Sequence, residues 1–398
     1  MNLEHSVSAH WQGGFDEPAL ERWAADLRSR LRAPEVSLGT VFMTPHLFPS
    51  AGQILELLRV HARVPLLIGC SSTGLIQGDS EIENSPGLVA GLYHLPGADL
   101  KAARFTGEQV EEADGPAYWH SAAGVNPEST NGWLVLADPF HLDCERWLRV
   151  WEEAWPGKPI LGGLASGDPS QTTTQIYHDG EVFEDGGIAL SVGGEVNLAR
   201  LISQGCTPIG QTWTITRAEP NLIHEIGNRP AYEVLMETVS DLPPKVQARC
   251  RGNLFVGLVM NEYLDDFQRG DFLIRNILGA DPASGSLVVG ALPREGQTMQ
   301  FQRRDSDAAD EDLVALLEKA DEELRDREIL GGCLCCCNGR GKGLFGRPGH
   351  DAGKIQSRIG PFGLTGFFCN GEIGPVGGKN FLHGYTASLA LFTRPKSG

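Results

Sequence analysis

The chain has 398 residues, with 51 acidic against 33 basic side chains and a formal net charge of −18 at pH 7. A surface of this sign repels phosphate backbones and anionic headgroups, so the composition disfavours binding to nucleic acid or to a membrane surface. No apolar stretch reaches membrane-spanning length, and the first residues show neither the basic nor the apolar region of a signal peptide, so we expect a cytoplasmic protein.

The first part of the chain is dominated by a repeated unit. After a helical lead-in predicted for residues 1–35, segments 37–74 and 132–168 each show an apolar strand, a turn containing proline, an amphipathic helix and a second apolar strand. A looser third copy lies at 328–375. Each copy ends its second strand in small residues, where a backbone can come close to a ligand: GCSSTG, GGLASGD and FFCNGEIG. The pattern predicts three β-α-β units.

Further strands and helices follow from local patterns. Turn signals at Pro96-Gly97 and Gly193-Gly194 separate apolar runs, and they predict strand pairs within 87–105 and 186–203. In the second half we predict helices at 230–238 and 307–327 and strands at 254–259 and 272–278. The fold class is therefore α/β, a two-part module built from repeated β-α-β-β units with mixed sheets. The predicted boundaries are a first domain at 36–215, a second at 216–393 and a tail at 394–398.

The nine cysteines include a run at Cys333, Cys335, Cys336 and Cys337. Their odd number and adjacent spacing do not suit a disulfide framework, and on a strand they spread along the sheet rather than converge on a metal ion. We therefore expect reduced, mostly buried thiols, with no metal and no cofactor. Cys337 is different, because it ends its strand close to Arg340, and a neighbouring arginine lowers a thiol pKa and makes the thiol reactive.

A reactive Cys337 leaves an enzymatic alternative open. A cysteine-dependent hydrolase or transferase would pair this thiol with His350 or His383 as the base, and with Asn370 or Asp351 to orient that base. The residue types are present, and whether they converge depends on the fold. The motifs of serine hydrolases, zinc peptidases and P-loop nucleotide-binding proteins are absent from the sequence.

Two glycine-rich segments carry the densest polar chemistry. GKGLFG at 341–346 follows a strand and fits G-x-G-x-x-G, but Arg347-Pro348-Gly349 interrupts the helix that a dinucleotide site needs. Basic residues beside backbone N–H groups there are suited to an anion or a carboxylate instead. The stretch 367–386 places several polar side chains directly after a buried strand, which is where α/β sheets hold ligands.

Taken in order, a set of motifs in this chain resembles the FIST family, with its paired FIST N and FIST C domains. The motifs are PLLIGCSSTG (65–74), GGLASGD (162–168), SQGCTPIG (203–210), GDFLIRNILGAD (270–281), CCCNGRGKGLFGRPGHD (335–351) and GFFCNGEIGPVGGKNFLHGYTASLALF (366–392). The resemblance covers about residues 36–393. It implies a sensory and signal-transduction domain for small ligands, with amino acids proposed as ligands and no established enzymatic activity. We expect a separate signalling protein as its partner.

The ligand is expected between the two halves. An amino-acid-like ligand needs a cation for its carboxylate, for which Arg340 or Arg275 is suited, and an acceptor for its amine, for which Glu372 or Asp168 is suited. The full set of predicted ligand-binding residues is Ser71, Ser72, Asp168, Arg275, Cys337, Asn338, Gly339, Arg340, Asn370, Glu372, His383 and Tyr385. The second alternative is a protein-interaction scaffold that binds no metabolite.

Overall fold

The computed structural model describes residues 4–168 and 172–396. The strands in these ranges are β1 (Ser6–Gln12), β2 (Leu38–Met43), β3 (Leu67–Ser71), β4 (Gly74–Gln77), β5 (Ser80–Glu83), β6 (Gly87–Tyr93), β7 (Ala98–Phe105), β8 (Thr130–Ala137), β9 (Ile160–Leu164), β10 (Ile176–His178), β11 (Glu181–Phe183), β12 (Gly187–Gly194), β13 (Asn197–Ser203), β14 (Thr207–Glu219), β15 (Leu222–Ile226), β16 (Arg229–Pro230), β17 (Leu254–Val259), β18 (Phe272–Asp281), β19 (Ser286–Val289), β20 (Thr298–Arg303), β21 (Arg327–Cys337), β22 (Leu364–Cys369), β23 (Glu372–Val376), β24 (Lys379–His383) and β25 (Ala387–Pro395).

The helices in the same ranges are α1 (Glu17–Arg30), α2 (Ala51–His61), α3 (Gly107–Glu112), α4 (Pro116–Ala123), α5 (Cys144–Ala154), α6 (Ala231–Ser240), α7 (Pro244–Cys250), α8 (Ser306–Glu323), α9 (Gly341–Phe345) and α10 (His350–Ile359), with a 3₁₀ helix at Pro45–Ser50. None of the described helices is long and apolar enough to span a membrane. Helices and strands combine in mixed sheets, so the predicted α/β fold class is confirmed.

The chain divides into two compact units. The first comprises Met1–Ile202, Leu316–Pro375 and Asn380–Gly398, and the second comprises Ser203–Ala315 and Val376–Lys379. The first unit therefore takes residues from both predicted domains, while the predicted domain boundaries themselves stay a prediction.

The second unit contains one sheet, with the strand order β14-β20-β17-β18-β19-β15-β16. Because β14 also pairs with β15, the strands from β14 to β15 form a closed ring, and β16 extends it at β15.

The first unit contains three six-stranded sheets with one common strand order. They are β1-β6-β2-β3-β10-β11, β7-β12-β8-β9-β23-β24 and β13-β25-β21-β22-β4-β5. At the centre of each sheet lies a parallel pair, β2 with β3, β8 with β9 and β21 with β22, whose two strands are connected through helices. These pairs are the three β-α-β units that the sequence repeat predicts.

The hairpins that complete the sheets are exchanged between repeats. Hairpin β4–β5 follows the first repeat along the chain but extends the sheet of the third. Likewise β10–β11 follows the second repeat and extends the first sheet, and β23–β24 follows the third and extends the second. This cyclic exchange ties the three sheets together, so residues directly after β3, β9 and β22 lie at the junctions between sheets.

Each parallel pair brings a glycine against the backbone of its neighbouring strand. A Cβ added to Gly69 or Gly162 would lie 1.9 Å from a carbonyl oxygen, that of Val41 or Val135, and one added to Gly366 would lie 2.1 Å from the Leu334 carbonyl oxygen. Those distances are far below any contact between non-bonded atoms. The glycine in the second strand of every repeat is therefore required for the close approach of the two strands.

Helices α1 and α2 pack on the first sheet, and α4 and α5 pack on the second. In α5, the buried residues Trp147 and Trp151 recur at helical spacing, and Trp147 stacks on Phe105 of β7 with ring centroids 4.5 Å apart. Between the sheets a shared apolar core includes Phe42 and Phe367, whose rings stack at 4.7 Å. The strands are thus buried on both faces, as their continuous apolar runs predict.

Three predicted features differ from the structure. The apolar runs in 87–105 and 186–203 are strands, but β6 does not pair with β7 and β12 does not pair with β13, because each run passes from one sheet to the next. The helical lead-in predicted for 1–35 contains α1, preceded by β1, which pairs with β6. Of the predicted tail, Arg394 and Pro395 belong to β25, and residues 397–398 lie outside the described residues.

Candidate functional site

The turns after β3, β9 and β22 meet at one place in the first unit. The Ser71 hydroxyl donates to the Ser166 carbonyl at 2.9 Å, and the Ser166 hydroxyl donates to the Phe368 carbonyl at 2.5 Å. The backbone N–H of Asn370 donates to the Leu164 carbonyl at 3.0 Å. The carboxyl ends of the three central strand pairs therefore converge, and small residues allow the turns to approach one another.

A row of polar side chains crosses this junction. The Thr73 hydroxyl donates to the Asn338 side-chain oxygen at 3.0 Å, and the Asn338 amide donates to the Asn370 side-chain oxygen at 2.9 Å. The Asn370 amide in turn donates to the Ala165 carbonyl at 3.2 Å. Ser72 is buried, and its hydroxyl donates to the Phe368 carbonyl at 2.9 Å. Each side chain in the row is held by a neighbour from a different turn, which fixes its orientation.

A cleft of about 780 Å³ opens above this row. The described residues that line it are Thr73, Gly74, Glu83, Asn84, Pro139, Phe140, Gly167, Asn338, Phe368 and Asn370. They belong to the first unit and come from both halves of the sequence. Among them Glu83 carries the one charged side chain, Phe140 and Phe368 supply apolar surface, and the amides and hydroxyl supply hydrogen-bonding groups. The volume is in the range of small-molecule sites.

Cys337 ends β21 directly before Asn338 and is half-buried. Its sulfur accepts the backbone N–H of Tyr385 at 3.1 Å and the backbone N–H of Gly339 at 3.4 Å. Tyr385 holds a left-handed backbone conformation with φ of 64°, which is uncommon for a residue other than glycine. Two backbone dipoles thus point at one sulfur, an arrangement that favours negative charge on it.

Glu372 is fully buried one turn beyond β22. Its carboxyl accepts the Thr386 backbone N–H at 2.9 Å and the Cys369 thiol at 3.1 Å, and it is also hydrogen-bonded to the Cys337 side chain. Burial away from water raises the pKa of Glu372 to about 8, against the lowering effect of these hydrogen bonds. At neutral pH this carboxyl is therefore mostly protonated, with two thiols beside it.

Arg340, which the sequence predicts as a carboxylate-binding residue, is bound to another side chain of the first unit. Its side chain is fully buried, and its Nε and Nη2 donate to the two carboxylate oxygens of Asp351 at 2.6 and 2.9 Å. Although burial alone raises the pKa of Asp351, the Arg340 charge holds it well below its usual value. His350 bonds to the same carboxylate at 2.9 Å and stacks on Phe345. This arrangement is a buried ion pair, which joins α9 to α10.

The glycine-rich segment 341–346 forms the short helix α9, and acidic residues of β5 already occupy the nearby backbone donors. Glu83 accepts the Lys342 N–H at 2.8 Å. Glu81 accepts four N–H groups at the start of α10, from Gly349 to Ala352, at 2.8 to 3.2 Å. The anion suited to this segment is thus supplied by the chain itself, through the exchanged hairpin β4–β5.

Three predicted residues lie elsewhere. Arg275 belongs to β18 of the second unit, where its Nη1 donates to the Ile274 carbonyl at 2.9 Å. His383 is buried at the end of β24, with Nε2 2.9 Å from the Gly374 carbonyl oxygen. Asp168 is partly exposed and follows Gly167 of the cleft. A ligand-binding role for these and the other predicted residues stays a prediction, as does the thiol enzyme alternative.

Sequence reasoning missed several residues of the cleft. Glu83 and Asn84 come from the exchanged hairpin, and Pro139 and Phe140 follow β8, where no motif marks them. The sequence could also have identified Ser166, which does not line the cleft but joins the turns below it, because it stands in GGLASGD at the position of small residues in the other two repeats. Aligning the three turns by their preceding strands would have selected it.

Comparison with known proteins gives one family. Residues 37–229 match the model of the FIST N domain, and residues 231–375 match that of the FIST C domain. The Mycobacterium tuberculosis (strain ATCC 25618 / H37Rv) protein named Uncharacterized protein Rv0628c is 35% identical over 371 residues, which cover 93% of this chain and 94% of that protein. Uncharacterized protein Mb0898c of Mycobacterium bovis is 34% identical over 369 residues, with the same coverage.

Among solved structures, a cyanuric acid hydrolase from A. caulinodans aligns with 98% of this chain and 100% of its own, at 9% sequence identity and a TM-score of 0.37. A similarity this distant carries no inference about chemistry.

Proposed function

The chain belongs to the FIST family, and from this premise we propose that it is a sensory protein whose first unit binds a small polar metabolite in the cleft. The observation that carries the proposal is the position of the cleft. It lies at the junction of three sheets, at the carboxyl ends of their central strands, and its floor is a row of mutually oriented hydrogen-bonding side chains. Sites at strand ends are where α/β sheets hold ligands.

The lining favours a neutral or amine-bearing metabolite over an anion. Glu83 is the charged side chain among the described lining residues, and the net charge of −18 adds a field of the same sign. An amino-acid-like ligand fits if its ammonium group meets Glu83 and its carboxylate is bound by neutral N–H donors. Arg340 does not bind the ligand carboxylate in this proposal, because its charge is neutralised by Asp351.

Binding would act as a signal through differential affinity for two conformations of the first unit. The cleft is built from turns of three repeats, so a ligand that contacts all three favours the arrangement in which they are closest. In our proposal a separate signalling protein binds preferentially to that conformation of the first unit. The cytoplasmic location expected from the sequence stays a prediction.

The first test is a thermal-shift screen of amino acids, amines and neutral polar metabolites, with native mass spectrometry of the freshly purified chain. A ligand at about 100 times its dissociation constant stabilises the folded state by roughly 2.7 kcal/mol, which raises Tm by a few degrees at this size. We expect Phe140→Ala to reduce the shift for every ligand that binds. Glu83→Gln should reduce the Tm shift for amine-bearing ligands alone. The glutamine side chain keeps an oxygen that can accept the Lys342 N–H.

The matched control is Val60→Ala, which truncates an apolar side chain on α2 that is exposed, as Phe140 is, and does not line the cleft. It should leave the shifts unchanged. If no compound in the panel binds, or if neither cleft variant changes the Tm shifts, the metabolite proposal fails. The protein-interaction scaffold is then the better explanation.

A further inference from the structure

Cys337 and Cys369 are direct neighbours on two parallel strands. They pair in register at the ends of β21 and β22, so their side chains project from the same face of the sheet. Neighbouring strands lie roughly 4.8 Å apart, which is within the Cα separation that a disulfide spans. All nine cysteines fall in the described ranges, and none of them forms a disulfide in this structure.

The two thiols have different environments. Cys337 is half-buried, with the N–H groups of Gly339 and Tyr385 directed at its sulfur. Cys369 is fully buried, and burial together with the neighbouring Glu372 raises its pKa well above the usual value. The first thiol therefore has both access to solvent and stabilisation of its thiolate, whereas the second is protected from solvent reagents.

The Glu372 carboxyl contacts both sulfurs, since it accepts the Cys369 thiol at 3.1 Å and is hydrogen-bonded to Cys337. A proton can therefore pass between either thiol and one carboxyl without entering water. The strained backbone of Tyr385 adds to this picture, because strain of this kind is retained where the surrounding structure requires the conformation.

From this geometry we propose that Cys337 is a modification site that reacts with hydroperoxides, and that Cys369 converts the oxidised Cys337 into a disulfide. The proposal does not depend on the metabolite of the cleft. It rests on the in-register pair, the two backbone donors and the shared carboxyl.

The first step oxidises Cys337. Its thiolate attacks one peroxide oxygen, so that an S–O bond forms and the O–O bond breaks. The departing oxygen takes the proton of Glu372 and leaves as water or an alcohol. Cys337 is now a sulfenic acid and Glu372 a carboxylate.

The second step forms the disulfide. The Glu372 carboxylate takes the proton of the Cys369 thiol, and the Cys369 sulfur attacks the Cys337 sulfur. The S–S bond forms as the S–O bond breaks, and the departing hydroxide takes the proton back from Glu372 and leaves as water. Two electrons have passed from the two thiols to the peroxide, and the net charge is unchanged.

The test treats the fully reduced chain with one molar equivalent of hydrogen peroxide and maps the peptides without reduction. We expect an intact mass lower by two hydrogen atoms, a peptide pair that joins Cys337 to Cys369, and full reversal by dithiothreitol. In Cys369→Ala the sulfenic acid should persist and be trapped by dimedone on Cys337. Cys337→Ser should give neither product.

Cys336→Ala is the matched control, because Cys336 is the adjacent residue of β21 and projects from the opposite face toward Asp351. It should keep the disulfide.

In Glu372→Gln we expect disulfide formation to slow by about tenfold or more, since the proton carrier is lost. Circular dichroism and thermal unfolding verify that each variant is folded. Oxidation that falls mainly on another cysteine, or a Cys337 inert to excess peroxide in the folded protein, would overturn the proposal.

Discussion

Replacing Arg340 with methionine is expected to lower the free energy of unfolding by about 3–5 kcal/mol, which is the cost of leaving one partner of a buried ion pair without its counter-charge. Both side chains of the pair are fully shielded from water, and two hydrogen bonds join them. Urea unfolding of Arg340→Met, followed by circular dichroism, measures the difference directly.

The matched control is Arg358→Ala. Arg358 also lies on this part of the chain, in α10, but its guanidinium is 3.6 Å from Asp321 and both side chains are about half exposed. Exposed pairs of this kind contribute at most about 1 kcal/mol. A second variant removes both buried charges, Arg340→Met with Asp351→Leu. It should be less destabilised than the sum of the two single variants, since neither charge is then left alone.

An Arg340→Met protein as stable as the wild type would contradict the structural role given to the ion pair. In that case the guanidinium is dispensable for folding, and the carboxylate-binding role that the sequence predicts for Arg340 returns as the better explanation. The outcome therefore separates two roles of one residue.

The repeats could be predicted because their signals are local. An apolar strand, a helix with Trp147 and Trp151 on one stripe, and a strand ending in small residues are each readable within about ten positions. The required glycines, such as Gly69 and Gly162, recur at the same place in the second strand. Both the fold class and the three turns followed from these patterns.

The cleft was less accessible to sequence reasoning, because its assembly depends on pairing between distant segments. Hairpin β4–β5 joins the sheet of the third repeat rather than that of its own, and this pairing brings Glu83 to Lys342 and Glu81 to α10. The sequence around 341–346 shows basic residues beside glycines, and nothing local reveals that Asp351 pairs with Arg340 or that Glu83 accepts the Lys342 backbone N–H. A motif can therefore suggest that a charged residue binds a ligand, but the fold decides whether another residue of the chain already neutralises that charge.

A second large effect is expected from pH, through Glu372. Its ordinary pKa is 4.5, and burial raises it to about 8 in the folded protein. Below pH 4.5 the group is protonated in both the folded and the unfolded state, so its titration does not change the free energy of unfolding. Between pH 4.5 and about 8 the unfolded chain releases this proton and the folded chain retains it, so the contribution of Glu372 to stability falls as pH rises. The difference in pKa corresponds to about 5 kcal/mol across the window.

Glu372→Gln removes this titration and keeps an acceptor for the Thr386 N–H. We therefore expect the variant to gain stability relative to the wild type as pH rises from 4.5 to 8, by up to about 5 kcal/mol. Urea unfolding of both proteins at pH steps through the window measures the difference, in which titrating groups that do not contact Glu372 cancel. The comparison below pH 4.5 is the control, because there the two side chains are neutral in both the folded and the unfolded chain.

A difference that stays constant across the window would mean that Glu372 is ionised in the folded protein at neutral pH. The carboxyl would then have no proton to give to the oxygen that leaves a peroxide at Cys337, and the proton path proposed for the two thiols would lose its donor. A difference that grows with pH leaves a neutral acid beside the Cys337 sulfur, at which two backbone N–H groups are directed. The stability measurement thus tests, without any oxidant, the protonation state on which the reactivity of Cys337 depends.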